Sequence, residues 1–238
     1  MGVEIRNFDS LGHANFGWLD AHHHFSFGEY YDPSRVHVGP LRVWNDDRIQ
    51  PGTGFDMHPH RDMEIITYVR TGAITHRDSM GNVGRTEAGD IQVMSAGSGI
   101  FHSEHNLEDE ETTLFQIWIM PRTSNLKPRW ETRQFPKGHN DGRLTALASG
   151  QAEYSDAAPI DQDATLFAAT LAPGEVVTHV LRANRQAYLV AARGSFLLND
   201  EPVSARDGVV VRDEGDLAIT ARDDVELILI DLPRGRGE

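Results

Sequence analysis

The sequence predicts an all-β chain made of two β-barrels in tandem, and three observations carry that prediction. Short runs rich in β-branched and aromatic residues alternate with Gly, Pro, Asn and Asp along its 238 residues. Few windows show the 3.6-residue period of a helix; Gly150 to Ser155 is at best one turn. The glycine spacing also repeats. Pro51-Gly52 stands twenty residues before Gly72, as Pro173-Gly174 does before Gly194, so the second half reads as a copy of the first.

Each half divides into elements. Residues 64–69 form a strand that ends at Thr71-Gly72, and Asp78-Ser-Met-Gly-Asn82 and Glu87-Ala-Gly-Asp90 are hairpin loops. Phe115-Gln-Ile-Trp-Ile-Met120 is a strongly β-prone run closed by Pro121. From Arg122 to about Asp163 the chain is polar and poorly periodic, a connection holding a strand or two with a boundary near Asn140. Strands resume at 165–171, 187–192, 195–198, 209–211, 217–221 and 225–232. The expected domains are therefore 1–140, which binds a metal, and 141–238, which does not. In the glycine register His58 falls on Val180 and His60 on Arg182, and aligning Gly89 with Gly208 puts His102 on Ala221.

The metal assignment rests on two short patterns. Gly52-Thr-Gly-Phe-Asp-Met-His58-Pro-His60 is followed by Glu64 and Gly72, and later comes Gly97-Ser-Gly-Ile-Phe-His102-Ser-Glu104-His-Asn106. In a strand, residues i and i+2 project from one face. His58 with His60, and His102 with Glu104, can each send two side chains into one cavity. Two such strands facing each other inside a barrel bring three imidazoles and a carboxylate to one point, a ligand set for a divalent transition metal. Neutral imidazoles and one carboxylate leave such an ion a net charge near +1 and, in an octahedron, two open positions, which suits substrate and dioxygen.

Composition narrows the alternatives. There is no cysteine, which excludes disulfides and thiolate chemistry and disfavours a closed structural zinc site. The net charge of −14 and pI near 5.2 argue against direct binding to nucleic acid or to an anionic membrane. The segment Met1-Gly-Val-Glu-Ile-Arg6 carries no basic-then-apolar signal pattern, and no apolar run approaches the roughly 18 residues of a spanning helix. The expectation is a soluble cytoplasmic protein.

The two patterns resemble the motifs of the cupin superfamily, and more closely those of pirins. The first follows Gly-x5-His-x-His-x3-Glu, with the closing glycine one residue late; the second keeps Gly-x-Gly-x2-His-x3-Asn, with its carboxylate at Glu104. His-x-His followed by His-x-Glu is the pirin arrangement. Gly12-His-Ala-Asn-Phe-Gly-Trp-Leu-Asp20, Leu41-Arg-Val-Trp-Asn-Asp46 and Arg61-Asp-Met-Glu-Ile-Ile-Thr-Tyr68 resemble the bacterial pirin-related branch. The resemblance implies a bicupin of double-stranded β-helix (jelly-roll) barrels, with a degenerate second cupin. It also implies quercetin 2,3-dioxygenase activity on a flavonol-like phenolic substrate and dioxygen, with ring cleavage releasing carbon monoxide. Iron(II) is the metal it implies; zinc, nickel, copper, manganese or cobalt would bind the same ligands. Glu104 is then the catalytic base that takes the proton of the flavonol 3-hydroxyl. Two other readings stay open: a non-enzymatic, metal- and redox-responsive binding protein acting on a transcription regulator or other protein partner, and an isomerase or epimerase acting on a small polar metabolite.

Other candidates carry plainer readings. Glu64 has the wrong strand parity for a ligand and suits a structural hydrogen bond. The run His22-His-His24 points alternately to opposite faces of an extended chain. His105 is out of phase with the ligands, and His76, His139 and His179 lack a partner at useful spacing. Asn106 either approaches the site or forms a turn. Met57, Phe101, Phe115 and Trp118 either line an aromatic pocket or pack in the core.

Overall fold

The computed structural model describes residues 2–135, 138, 142–212 and 215–235. It is built almost wholly of strands, arranged as two similar halves. In the first half a seven-stranded sheet runs in the order Arg129–Arg133, Ile91–Ser95, Glu64–Thr71, Thr112–Ile119, Leu41–Ile49, Leu19–His23, Gly12–Asn15. A four-stranded sheet of Gly54–His60, Ile100–His105, Ala73–Asp78 and Val83–Glu87 closes over it. The second half repeats this division into seven strands and four. The expected boundary at residues 140 and 141 falls outside the described residues.

The two large sheets pack against each other across the middle of the molecule. Trp44, Ile66, Tyr68, Phe115 and Ile117 from one meet Tyr188, Val190, Ile228 and Ile230 from the other in a single core. A strand buried on both faces reads as a continuous apolar run, which is why Glu64–Thr71 and Val225–Pro233 look alike in sequence. Each fully buried Ile, Leu or Phe contributes about 1.5–3 kcal/mol. His24 joins the seam, with its Nδ1 2.8 Å from the Tyr188 hydroxyl. At the same seam Asp46 is held between Arg70 and Arg206. Among the described residues no helix is long and apolar enough to cross a membrane.

Two features depart from the sequence reading. Strand Val3–Arg6, from the start of the chain, pairs with Gly208–Arg212 and forms an edge of the second half's sheet. The ligand register is also shifted by one. Between His58 and Phe55 the pairing with Ile100–His105 slips through a bulge, so that His102 faces His58 while Glu104 faces Phe55. The extra residue re-phases the strand, and the glycine alignment cannot see it. In the second half His179 pairs with Leu217 and Val177 with Ile219. Ile219 is also paired with Leu198 as Glu104 is with His76. His179, not Val180, therefore occupies the place of His58, and Leu217 and Ile219 occupy those of His102 and Glu104. Val180 is 62% exposed, Arg182 reaches outward to Glu153, and Ala221 lies in the core beyond the vacated site.

The second barrel is packed solid by Phe167, Leu189, Phe196, Ile219 and Leu229. Phe196 is fully buried there. Phe196→Ala is expected to cost about 3–5 kcal/mol in denaturant unfolding, through lost transfer free energy and the cavity left behind.

Candidate metal centre

The first barrel differs from the second along one row of cross-strand pairs. Asn45 faces Gln116, Gln116 faces Thr67, and Thr67 faces Gln92. The equivalent row of the second barrel is Phe167, Leu229, Leu189 and Val209, all apolar. Polar side chains inside a barrel cost free energy unless they find partners; Asn45 finds His23, and the other three converge on Glu104. Its Oε1 accepts from Thr67 Oγ1 at 2.9 Å and from Gln92 Nε2; its Oε2 accepts from Gln116 Nε2 at 2.5 Å. Two indoles fix how the amides turn. Trp118 Nε1 donates to Gln116 Oε1 and Trp130 Nε1 to Gln92 Oε1, each at 3.3 Å, so both amides present N–H to the carboxylate.

Opposite this floor, strands Gly54–His60 and Ile100–His105 bring His58, His60 and His102 together. Their rings stand 4.5–5.0 Å apart, centroid to centroid, at mutual angles of 54° to 79°. One nitrogen of each lies within 4.8 Å of those of the other two. Rings splayed in this way aim their in-plane lone pairs at a common point. His58 Nδ1 donates to the Asp56 carbonyl at 2.6 Å, which leaves Nε2 free. His102 Nδ1 lies 3.5 Å from His76 Nδ1, and His76 Nε2 lies 3.0 Å from Asp78 Oδ2. With Asp78 accepting from His76, and His76 accepting from His102, the second nitrogen of His102 carries the lone pair. That atom, His102 Nε2, is buried without any partner. An orphaned imidazole nitrogen beside two more is what a metal ion would satisfy, so the residues fit a divalent metal. Glu104 lines the same cavity but lies outside the group of three, tied to its own donors.

A second cluster, His13, Asp20 and His22, also has ligand atoms within 4.8 Å of one another. There the rings of His13 and His22 lie nearly parallel, at 21°, and His13 Nε2 sits 2.7 Å from Asp20 Oδ1. Parallel rings do not aim their lone pairs at one point.

The cavity has a volume of about 490 Å³. Its aromatic wall is Phe16, Phe27, Tyr30, Phe55 and Trp118, with Trp118 edge-on to His60. Of the aromatic candidates only Trp118 lines it. Met57 and Phe101 are more than half exposed, and Phe115 belongs to the seam between the large sheets. Glu64 accepts from Ser95 Oγ at 2.5 Å, away from the cavity, and Asn106 braces a turn through the Ile49 and Glu110 carbonyls. His105 turns out towards Asp56, and His23 faces inward, bonded to Asn45. Gly97 has φ +46°, and a Cβ there would meet the Leu126 carbonyl oxygen at 2.1 Å. That explains the glycine before the second ligand strand. His139 lies outside the described residues.

Burial first, then the neighbouring imidazoles, depresses His60 to about 4 and His102 to about 3, from an ordinary 6.5. Both are neutral at physiological pH, the form in which an imidazole can hold a metal. Between about pH 6.5 and 4 the unfolded chain binds protons that the folded one refuses, so stability falls as pH drops through that window. The thermal midpoint of metal-free protein is expected to decline between pH 7 and 5, and less steeply in a His60→Phe/His102→Phe variant. Equal slopes in the two proteins would contradict this assignment.

Comparison with known proteins agrees with this geometry. The Pirin family model matches residues 4–119, and that of the Quercetinase C-terminal cupin domain matches residues 146–232. A Pseudomonas aeruginosa protein named provisionally as a quercetin 2,3-dioxygenase is 57% identical, over 97% of this chain and 99% of its own. The quercetin 2,3-dioxygenase of Escherichia coli K12 is 41% identical, over 97% and 99%. The crystal structure of the E. coli bacterial pirin YhhW in complex with nickel(II) superposes with a TM-score of 0.91 at 40% identity, covering 98% of this chain and 99% of that one. With its motifs, its paired barrels and its histidine cluster, the chain belongs to the pirin family, as a bicupin.

Proposed function

We propose that the protein is a metal-dependent dioxygenase acting on a flavonol-like phenolic ring, with the metal held by His58, His60, His102 and Glu104. The observation that carries this reading is the buried, unpartnered Nε2 of His102, converging with two further imidazoles at the end of an aromatic-walled cavity. The names of the relatives favour the same substrate class. When bound, the metal supplies Lewis acidity and redox chemistry for the reaction with dioxygen; iron(II) is the family's implied choice, and nickel(II) occupies the E. coli pirin structure.

The chain's own residues do the rest. Phe16, Phe27, Phe55 and Trp118 take up the planar ring and keep water away from it. Glu104 accepts the proton of the substrate hydroxyl. A carboxylate has roughly four lone-pair directions. Three are already taken, two of them on Oε1, so the free one is on Oε2. That free position is where Glu104 would accept the proton or help to hold a metal, and it serves one of these at a time. Glu104→Gln removes the base and sets an amide N–H against the N–H group of either Gln92 or Gln116.

Oxygen uptake with a panel of flavonols tests this reading, with metal content determined in parallel. Wild type should turn over, Glu104→Gln should be slower by roughly 10²-fold or more with metal retained, and His58→Ala should lose metal and activity together. No turnover by metal-replete wild type across flavonols and catechols would favour a metal-responsive binding protein. Unchanged turnover in Glu104→Gln would remove Glu104 as the base.

A further inference from the structure

Besides Glu104 and the exposed Glu29, the wall of the cavity holds a buried carboxyl that the reaction as described does not use. Asp47 lies on strand Leu41–Ile49, is 2% exposed, and lines the cavity beside Glu104 and the histidines. Its Oδ1 is buried with no hydrogen-bond partner. Its neighbour Asp46, on the opposite face of the strand, is gripped by the guanidinium groups of Arg70 and Arg206. Asp47 has no such partner because it stands one row away from the polar floor. The residues across from it are Ala21 and Leu114, and beyond Leu114 is Val69.

The fold does not require an acid there. In the second barrel Phe167 takes the place of Asn45, so the position of Asp47 falls on Ala169, which pairs with Leu227 as Asp47 pairs with Leu114. A buried carboxyl with an unmet hydrogen bond weakens a protein unless something else uses it. Burial, and then the charges of Asp46 and Glu104, raise its pKa well above the ordinary value. In the protonated form it both donates and accepts. Glu104 has three donors and Asp47 has none, so the two buried carboxyls of the cavity are prepared for different roles.

We propose that Asp47 is a second anchor for the substrate, binding a ring hydroxyl other than the oxygen that goes to the histidine cluster. The site would then select polyhydroxylated aromatic rings, since an analogue lacking that hydroxyl leaves the buried acid unpaired. This rests on the dioxygenase reading above and adds to it the feature by which the substrate is chosen.

The test uses metal-loaded wild type, Asp47→Leu and Asp47→Ala, the last supplying the side chain that the second barrel carries at Ala169. Ligands are pairs of flavonols that share the 3-hydroxyl and differ by one other ring hydroxyl. Binding is followed by quenching of tryptophan fluorescence, and thermal midpoint and metal content are recorded for each protein. Wild type should prefer the more hydroxylated member of at least one pair by about tenfold. Both variants should bind the two members equally, keep their metal, and melt no lower than wild type. Retained preference in the variants, no preference by wild type in any pair, or a large loss of thermal stability in both variants would overturn the assignment of Asp47. Failure of wild type to bind any flavonol would instead remove the dioxygenase reading, and this inference with it.

Discussion

Burying amides and a carboxylate inside a β-barrel is unfavourable unless every donor and acceptor is matched, and that constraint organises the first barrel. The row Asn45, Gln116, Thr67 and Gln92 crosses its floor, where the second barrel has Phe167, Leu229, Leu189 and Val209. Because the row is polar it needs an acceptor, and Glu104 supplies one. Because Trp118 and Trp130 hold the two amides by their oxygens, the nitrogens have only one way to turn. Glu104 is thus fixed at the edge of the histidine cluster before anything binds. In the second barrel the apolar row closes the interior, and the single surviving histidine, His179, is held by a 2.7 Å contact with Asp231.

The frame around this floor is stiff for a different reason. Each large sheet is covered on both faces, by its own small sheet and by the other large sheet. Close packing on both sides leaves little room for the ligand strands' foundations to shift. Burial in that frame also lowers the proton affinity of His60 and His102. The same burial leaves Asp47 without a partner one row away, so the cavity contains both a satisfied acid and an unsatisfied one.

Much of this was legible in the sequence, and what was not has identifiable causes. The i, i+2 pairs His58/His60 and His102/Glu104 announce a shared face because strand parity is a local property, and the structure brings the three histidines to one point. The bulge before His58 is also local, yet it leaves no sign in residue type. It displaced the internal alignment by one residue and misassigned His179 and Val180. His76 and Asp78 sit on the neighbouring strand Ala73–Asp78; no spacing rule links them to His102, because the link is pairing between strands distant in sequence. Gln92 and Gln116 could have been noticed as single amides with apolar neighbours on both sides, in Ile91–Ser95 and Thr112–Ile119. Such an interruption at a buried position is itself a signal of a polar interior. The addition of Val3–Arg6 to the far sheet is a pairing with Gly208–Arg212, a strand distant in sequence, which no local pattern encodes.

The central claim is that the polar floor, by fixing Glu104 beside the three histidines, tightens metal binding in this barrel. The most direct measurement is the metal dissociation constant of the double variant Gln92→Val/Gln116→Leu, determined by competition with a chelator against wild type. These substitutions install the side chains of Val209 and Leu229 and leave all three histidines in place. The account predicts a folded protein whose metal binding is weaker by at least about tenfold, the scale on which groups supporting metal ligands act. Affinity equal to that of wild type, with the fold intact, would contradict it.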